Sequence, residues 1–157
     1  MKHIDQISEA AIERLWREHS HDLVGLATML VGPADAHDIA VEAFLRAAPA
    51  ADQPEVSNVR AFLMRSVVNR AHDLRRSNER RWRRDLAAVG PVSASGPDSF
   101  VDVRRAVSTL SLSQRSVVYF VYWEDRTEAE TADLLGVSAG TVRRHLVRAR
   151  THLRKAL

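Results

Sequence analysis

Apolar residues recur at helical spacing along nearly the whole chain. Leu23, Leu26, Ala27 and Leu30 stand at i, i+3, i+4 and i+7, the stripe of a helix with one buried face. Gly32 and Pro33 stop that helix. A second helix is predicted from about residue 35 to residue 48, with Ile39, Ala43, Phe44 and Ala47 inward. Its outer face carries Asp38 and Glu42, one turn apart. Residues 49–54, bounded by Pro49 and Pro54, read as a loop. A third helix is expected to start near Ser57 as N-cap and to bury Val59, Phe62, Leu63, Val67, Ala71 and Leu74. The best strand candidate, residues 117–121, is flanked by helical spacing and is assigned to helix.

The pattern changes over residues 86–99, where Gly90, Pro91, Ser93, Ser95, Gly96 and Pro97 cluster. Such a stretch is a flexible linker. The expected organisation is all-α, with two small helical domains: residues 1–85, a linker at 86–100, and residues 101–157. The second piece is short of core material and should be only marginally stable alone.

Beyond the linker, Thr127 and Glu130 have the spacing of a capping box. A short helix then ends at Gly136, a residue suited to a left-handed C-terminal turn. Ser138 is the expected N-cap of a further helix whose buried positions are Val142, Leu146, Ala149 and Leu153. Helix, tight glycine turn, helix is a helix-turn-helix. The outward face of the second helix carries Arg143, Arg144, Val147 and Arg148, which suits base edges or phosphates. A helical hairpin with a solvated basic face would show the same spacing.

Charge sharpens this picture. The net charge is +3, yet residues 1–59 hold four basic and ten acidic side chains. Residues 60–84 hold nine arginines against Asp73 and Glu79, and residues 141–157 hold six basic side chains and no acid. Two basic blocks imply two contacts with a polyanion. Arg60, Arg65, Arg70, Arg75 and Arg76 stud the third helix, and Arg80, Arg81, Arg83 and Arg84 surround Trp82. Arginines interleaved with an aromatic ring suit single-stranded DNA, where bases stack and phosphates pair. Asn69 can hydrogen-bond a base edge, and Phe62 taken alone reads as core. Asp38 and Glu42 suit a basic protein surface, although from composition alone a plain solvated face is the better reading.

Other classes of function find little support. The chain has no cysteine, so disulfides and thiolate metal sites are excluded. No apolar run approaches the roughly 18 residues of a membrane span. Asp5, Glu9 and Glu13 interrupt any signal core, so a cytoplasmic protein is expected. There is no phosphate-binding glycine loop, no His-Glu-x-x-His and no nucleophile arrangement, and the seven histidines are scattered. No enzyme activity, metal or cofactor is expected.

At several points the residues resemble one family, the extracytoplasmic-function sigma factors of the sigma-70 family. Residues 38–46, Asp-Ile-Ala-Val-Glu-Ala-Phe-Leu-Arg, resemble its polymerase-binding helix. Residues 59–63 and 68–76 resemble its promoter-melting helix, which reads the −10 element. Residues 110–115 resemble its Leu-Pro-x-x-Gln-Arg signature, and residues 122–157 its −35-reading domain. The resemblance implies a sigma-2-like helical bundle followed by a sigma-4-like helix-turn-helix domain. It implies that Asp38, Val41, Glu42 and Leu45 bind core RNA polymerase. Phe62, Arg65, Asn69, Arg70, Arg75 and Arg76 would engage the −10 strand, and Thr141, Arg143, Arg144, Val147 and Arg148 the −35 element of promoter DNA. An anti-sigma factor is a further implied partner. The chain departs from the family at Val41 (usually Gln), at Ala48-Pro49 (a common Trp), at Ser111 (the signature Pro) and at Arg144-His145 (usually Ser-Arg). The competing expectations are a stand-alone helix-turn-helix regulator, which leaves residues 35–84 without a role, and a degenerate sigma-like protein acting through protein contacts alone.

Overall fold

The computed structural model describes residues 7–88 and 99–157, and at 79–88, 99–101 and 104 the backbone alone. The fold is all-helical, as the spacing predicts. Seven α-helices follow one another among the described residues: α1 (Glu9–Val31), α2 (Pro33–Ala51), α3 (Val59–Ala88), α4 (Ser99–Ser108), α5 (Leu112–Val118), α6 (Glu128–Leu135) and α7 (Ala139–Ala156). A π-helical segment, Tyr119–Trp123, continues α5. The chain divides into two compact units, Met1–Ala71 and His72–Leu157. That division falls inside α3, upstream of the expected linker, of which residues 89–98 lie outside the described residues.

In the first unit, Ser8 caps α1 by accepting from the Ala11 amide at 3.2 Å. The helix buries Ala11, Leu15, His19, Leu23, Leu26, Ala27 and Leu30 on one face. Gly32 ends it with φ 85°, in the left-handed region where a side chain would be strained, and its amide donates to the Thr28 carbonyl at 2.9 Å. Pro33 then opens α2, where its missing N–H costs nothing. The one-residue joint makes α1 and α2 adjacent and packed. Alanines at 36, 40, 43, 47, 48 and 51 line the buried side of α2, so the two backbones approach closely. Phe44, fully buried, meets Trp16 with ring centroids 5.0 Å apart. Burying a side chain of this size stabilises by about 1.5–3 kcal/mol.

Three expectations need correction here. Helix α2 runs through Pro49 to Ala51 instead of stopping at residue 48. A proline inside a helix removes its own N–H donor and crowds the carbonyl four residues back, but Pro49 stands in the last turn, with only two residues of α2 beyond it. The cap of α3 is Asn58, not Ser57: the Asn58 Oδ1 accepts from the Ala61 amide at 2.9 Å. The buried side of α3 is Leu63, Met64, Val67, Val68 and Ala71, while Val59, Phe62 and Leu74 are only partly covered. Farther on, α3 kinks at Asn78, which has φ −129° and ψ 23°. One residue earlier the Ser77 hydroxyl bonds back to the carbonyls of Asp73 and Leu74, at 3.1 and 3.0 Å, a pattern that bends helices.

The second unit is built around Val117, Ala132, Val142 and Leu146, with Val121 and Leu135 packed against them. Two capping boxes fix its helix starts. Ser111 and Gln114 open α5, and Thr127 and Glu130 open α6. Ser111, where the resemblance expects proline, starts its helix by a capping box that satisfies two otherwise orphaned amides. Arg115 is buried, and its guanidinium donates to the carbonyls of Leu110 and Ser108 at 3.0 and 3.2 Å, tying the end of α4 to α5. Gly136 takes the left-handed conformation, φ 67° and ψ 35°, and the Val137 amide reaches back to the Ala132 carbonyl at 3.0 Å. Ser138 then caps α7, accepting from the Thr141 amide at 3.1 Å. The buried stripe of α7 is Val142, Leu146 and Ala149; Leu153, expected as its fourth member, is partly exposed because the unit's core ends before the last turns.

Leu146 is 2% exposed at the centre of this unit. Leu146→Ala is expected to cost about 2–5 kcal/mol, read as a lower urea midpoint of the helical circular-dichroism signal.

Candidate nucleic-acid interface

Three helical faces carry the residues that the sequence singles out. The first is on α2. Asp38, Val41, Glu42 and Leu45 stand at i, i+3, i+4 and i+7 and share one face. Asp38 is exposed, and Leu45 is 54% exposed. Because Pro49 has no N–H, the Leu45 carbonyl also lacks its helical donor. Glu42 is different in kind. Its Oε1 accepts from Arg46 at 3.3 Å and from Arg70 of α3 at 2.9 Å. This carboxylate joins two helices of the first unit and is already neutralised.

The second face is on α3. Arg65 and Asn69, one turn apart, are exposed, with partly covered Phe62 beside them. Arg70 points elsewhere, into the Glu42 bridge, and its buried Nε has no hydrogen-bond partner among the described residues. Arg60 is likewise tied to Asp22 at 2.8 Å. The nine arginines thus do not form one face. Those at 60 and 70 hold the first unit together, while Arg65 faces outward there. Arg76 is exposed and Arg75 partly covered in the second unit. The side chains of Arg80, Arg81, Trp82, Arg83 and Arg84 lie outside the described residues.

The third face is on α7, one turn beyond its cap. Arg143, Arg144, Val147 and Arg148 are all exposed, and Val147 is 55% so. Thr141 is partly buried and acts as a hub. Its Oγ1 lies 2.9 Å from the Ser138 hydroxyl and accepts from Arg144 Nη2 at 3.1 Å. Arg143 Nε donates to Glu128 Oε2, on α6, at 3.0 Å. Arg150 Nε donates to the Tyr122 hydroxyl at 2.7 Å. Tyr122 and Trp123 stand exposed at the end of the π-helical segment. Neither Glu128 nor Tyr122 was singled out by the sequence. Both lie far along the chain from their arginines, and only the turn at Gly136 brings α6 and α7 to that crossing.

Two of this unit's histidines, His72 and His145, have lowered pKa values. Burial holds His145 below the ordinary imidazole value, and the charges of Arg148 and Arg144 lower it further. His72 is lowered first by burial, then by Arg75 and Arg76, with Asp73 opposing and His145 adding to the decrease. His145 Nδ1 is buried without a partner among the described residues. Both shifts favour the uncharged imidazole, and the outward face of α7 carries its charge on Arg143, Arg144 and Arg148.

Known proteins share this arrangement. The family model described as Sigma-70 region 2 matches residues 15–81, and that described as Sigma-70, region 4 matches residues 100–153. The ECF RNA polymerase sigma factor SigM of Mycobacterium tuberculosis is 32% identical over 151 residues, covering 94% of this chain and 77% of that protein. The RNA polymerase sigma-E factor of Streptomyces antibioticus is 48% identical over 52 residues, 33% of this chain and 29% of that one. Among solved structures, the sigma factor RpoE of Bartonella quintana, in complex with the anti-sigma factor NepR, has the same fold. Its TM-score is 0.69 at 19% identity, over 92% of this chain and 94% of that one.

Two outcomes follow from the geometry. A double-mutant cycle on Glu42→Ala and Arg70→Ala is expected to give a stabilising coupling on the order of 1 kcal/mol, whereas Asp38→Ala should leave the urea midpoint within about 0.5 kcal/mol. The histidine shifts also set an acid limb. A folded-state value depressed below about 6.5 means that the unfolded chain binds more protons once the pH falls to that point. Stability from these two groups should be complete above pH 6.5 and decline as the pH drops toward their folded values. His72→Gln combined with His145→Gln should flatten that limb in thermal melts taken across the range.

Proposed function

The chain belongs to the extracytoplasmic-function sigma factors of the sigma-70 family, RNA polymerase subunits that direct promoter-specific initiation, and from that premise we propose how its residues share the work. Residues 1–85 act as the domain that binds core RNA polymerase and the −10 element, and residues 101–157 as the domain that binds the −35 element. The observation that carries this reading is the outward face of α7: exposed Arg143, Arg144, Val147 and Arg148, on a helix set by a left-handed glycine turn and free of acid. A helix of that kind fits the major groove, where arginine forks match guanine and phosphate.

On α3, Arg65 and Asn69 suit the displaced −10 strand, with Phe62 able to take a stacked base. Arg75 and Arg76 add phosphate contacts. Arg70 belongs to this set by its position in the chain, and its bridge to Glu42 gives it a supporting part, holding α3 against α2. On α2, Asp38, Val41 and Leu45 form the polymerase face, in which an exposed leucine beside an acid meets a basic, partly apolar partner surface. Glu42 stands on the same face, with its carboxylate paired to Arg46 and Arg70. The polymerase supplies the chemistry of RNA synthesis, and the chain supplies placement. The working location is the cytoplasm, where polymerase and promoters are. A protein antagonist of the anti-sigma type is a compatible third partner. No helix among the described residues is long and apolar enough to cross a membrane.

Run-off transcription with core RNA polymerase and genomic promoter fragments tests the assignment. The chain should yield specific transcripts, and these should disappear for the Arg143→Ala, Arg148→Ala double variant. Each arginine lost from a phosphate contact should lower the salt slope of binding by about 1. Leu45→Asp should weaken association with core polymerase about tenfold or more while leaving helix content unchanged. Transcription by the Arg143, Arg148 variant at the unsubstituted level would contradict the role of α7. Tight duplex binding without polymerase, and no transcripts, would point to a stand-alone regulator.

A further inference from the structure

Glu128 is the first residue of α6, and Arg143 lies in the second turn of α7. The bond between them runs from Arg143 Nε to Glu128 Oε2 at 3.0 Å, across the two helices of the helix-turn-helix. The arginine side chain is 70% exposed and the glutamate 35%, so the pair sits at the rim of the outward face. Only Nε is engaged. The two terminal nitrogens of Arg143 have no hydrogen-bond or ion-pair partner among the described residues. Arg144 differs, since its Nη2 is spent on Thr141. The other bonds that fix this corner do not involve Glu128. The cap of α6 is closed by Thr127 and Glu130, and that of α7 by Ser138.

A guanidinium on a flexible stem can turn to a phosphate or to a base. A carboxylate on Nε biases that choice and presents the paired terminal N–H groups, the edge that matches guanine O6 and N7. The same carboxylate repels phosphates, so it opposes non-specific binding while favouring one base contact. We infer that Glu128 is a specificity-determining positioning residue, holding Arg143 so that its terminal edge reads a guanine in the major groove of the −35 element. The inference rests on the assignment of α7 to that groove.

The test uses the full chain with core RNA polymerase on a promoter library randomised through the −35 element. Transcribed templates are sequenced for the unsubstituted chain, Glu128→Ala, Glu128→Gln, Arg143→Ala and the double variant Glu128→Ala, Arg143→Ala. The unsubstituted chain should prefer guanine at one position, and Arg143→Ala should abolish that preference. Glu128→Ala should reduce it about fivefold or more at that position alone, with Glu128→Gln intermediate. Binding of Glu128→Ala to unrelated duplex should rise, because a negative charge has left the interface. In the Arg143→Ala background, Glu128→Ala should change nothing at that position. An undiminished guanine preference in Glu128→Ala would overturn the inference and leave the assignment of α7 standing. So would a loss spread over every position together with reduced helical content, since that is what a purely structural role produces. An unsubstituted chain with no preference anywhere in the element would overturn the assignment of α7 itself, and the inference with it.

Discussion

The geometry of the second unit depends on the crossing of α6 and α7, and that crossing depends on one backbone conformation. Gly136 is left-handed, which lets the chain reverse direction within Gly136, Val137 and Ser138. A residue with a Cβ would pay for that conformation at every folding event. With the turn made, Ala132 and Val142 come into the same core, on which Val117 and Leu146 close. The buried side of α7 is thereby fixed, and so is the side that remains. Arg143, Arg144, Val147 and Arg148 face outward as a consequence of what Val142, Leu146 and Ala149 bury.

Electrostatics then sorts the arginines into two kinds. Some act within the protein: Arg60 on Asp22, Arg70 on Glu42, and Arg115 on two carbonyls. These are partly or wholly covered, and their partners offset the cost of taking the charge from water. Others, Arg65, Arg76, Arg144 and Arg148, remain exposed and make no ion pair with an acid among the described residues. They are the charges left for a polyanion. Arg143 stands between the two kinds, anchored through Nε and open at its terminal nitrogens. The division follows local packing. Net charge along the chain, which counts every arginine alike, does not reveal it.

Much of this was legible in the sequence because it is local. The Thr127 and Glu130 box, the Gly136 turn and the Ser138 cap each need only residues within four positions of one another, and all three are present as read. The stripe of α1 was legible for the same reason. What escaped depends on distant partners or on small energy differences. Ser57 and Asn58 are both good caps by residue type, and it is Asn58 whose side chain accepts from the Ala61 amide. Pro49 has the look of a helix end, yet the helix carries it because Ala51 is buried against the core beyond it. The π-helical segment, which carries the exposed Tyr122 and Trp123, leaves no mark in apolar spacing. The bridges of Glu42 to Arg70 and of Glu128 to Arg143 join helices, and a sequence shows their charges without showing the pairing.

The central claim is that α7 and the exposed face of α3 touch two separate promoter elements within one polymerase complex. The chain has no cysteine, so a single introduced thiol is a unique point of attachment. The most direct measurement attaches a DNA-cleaving iron chelate at Val147→Cys or at Asn69→Cys and maps strand scission in the complex with core RNA polymerase on a promoter. Cleavage is expected to centre on the −35 element from position 147 and on the −10 element from position 69. Cleavage at one common location from both positions, or none from position 147, would contradict the claim.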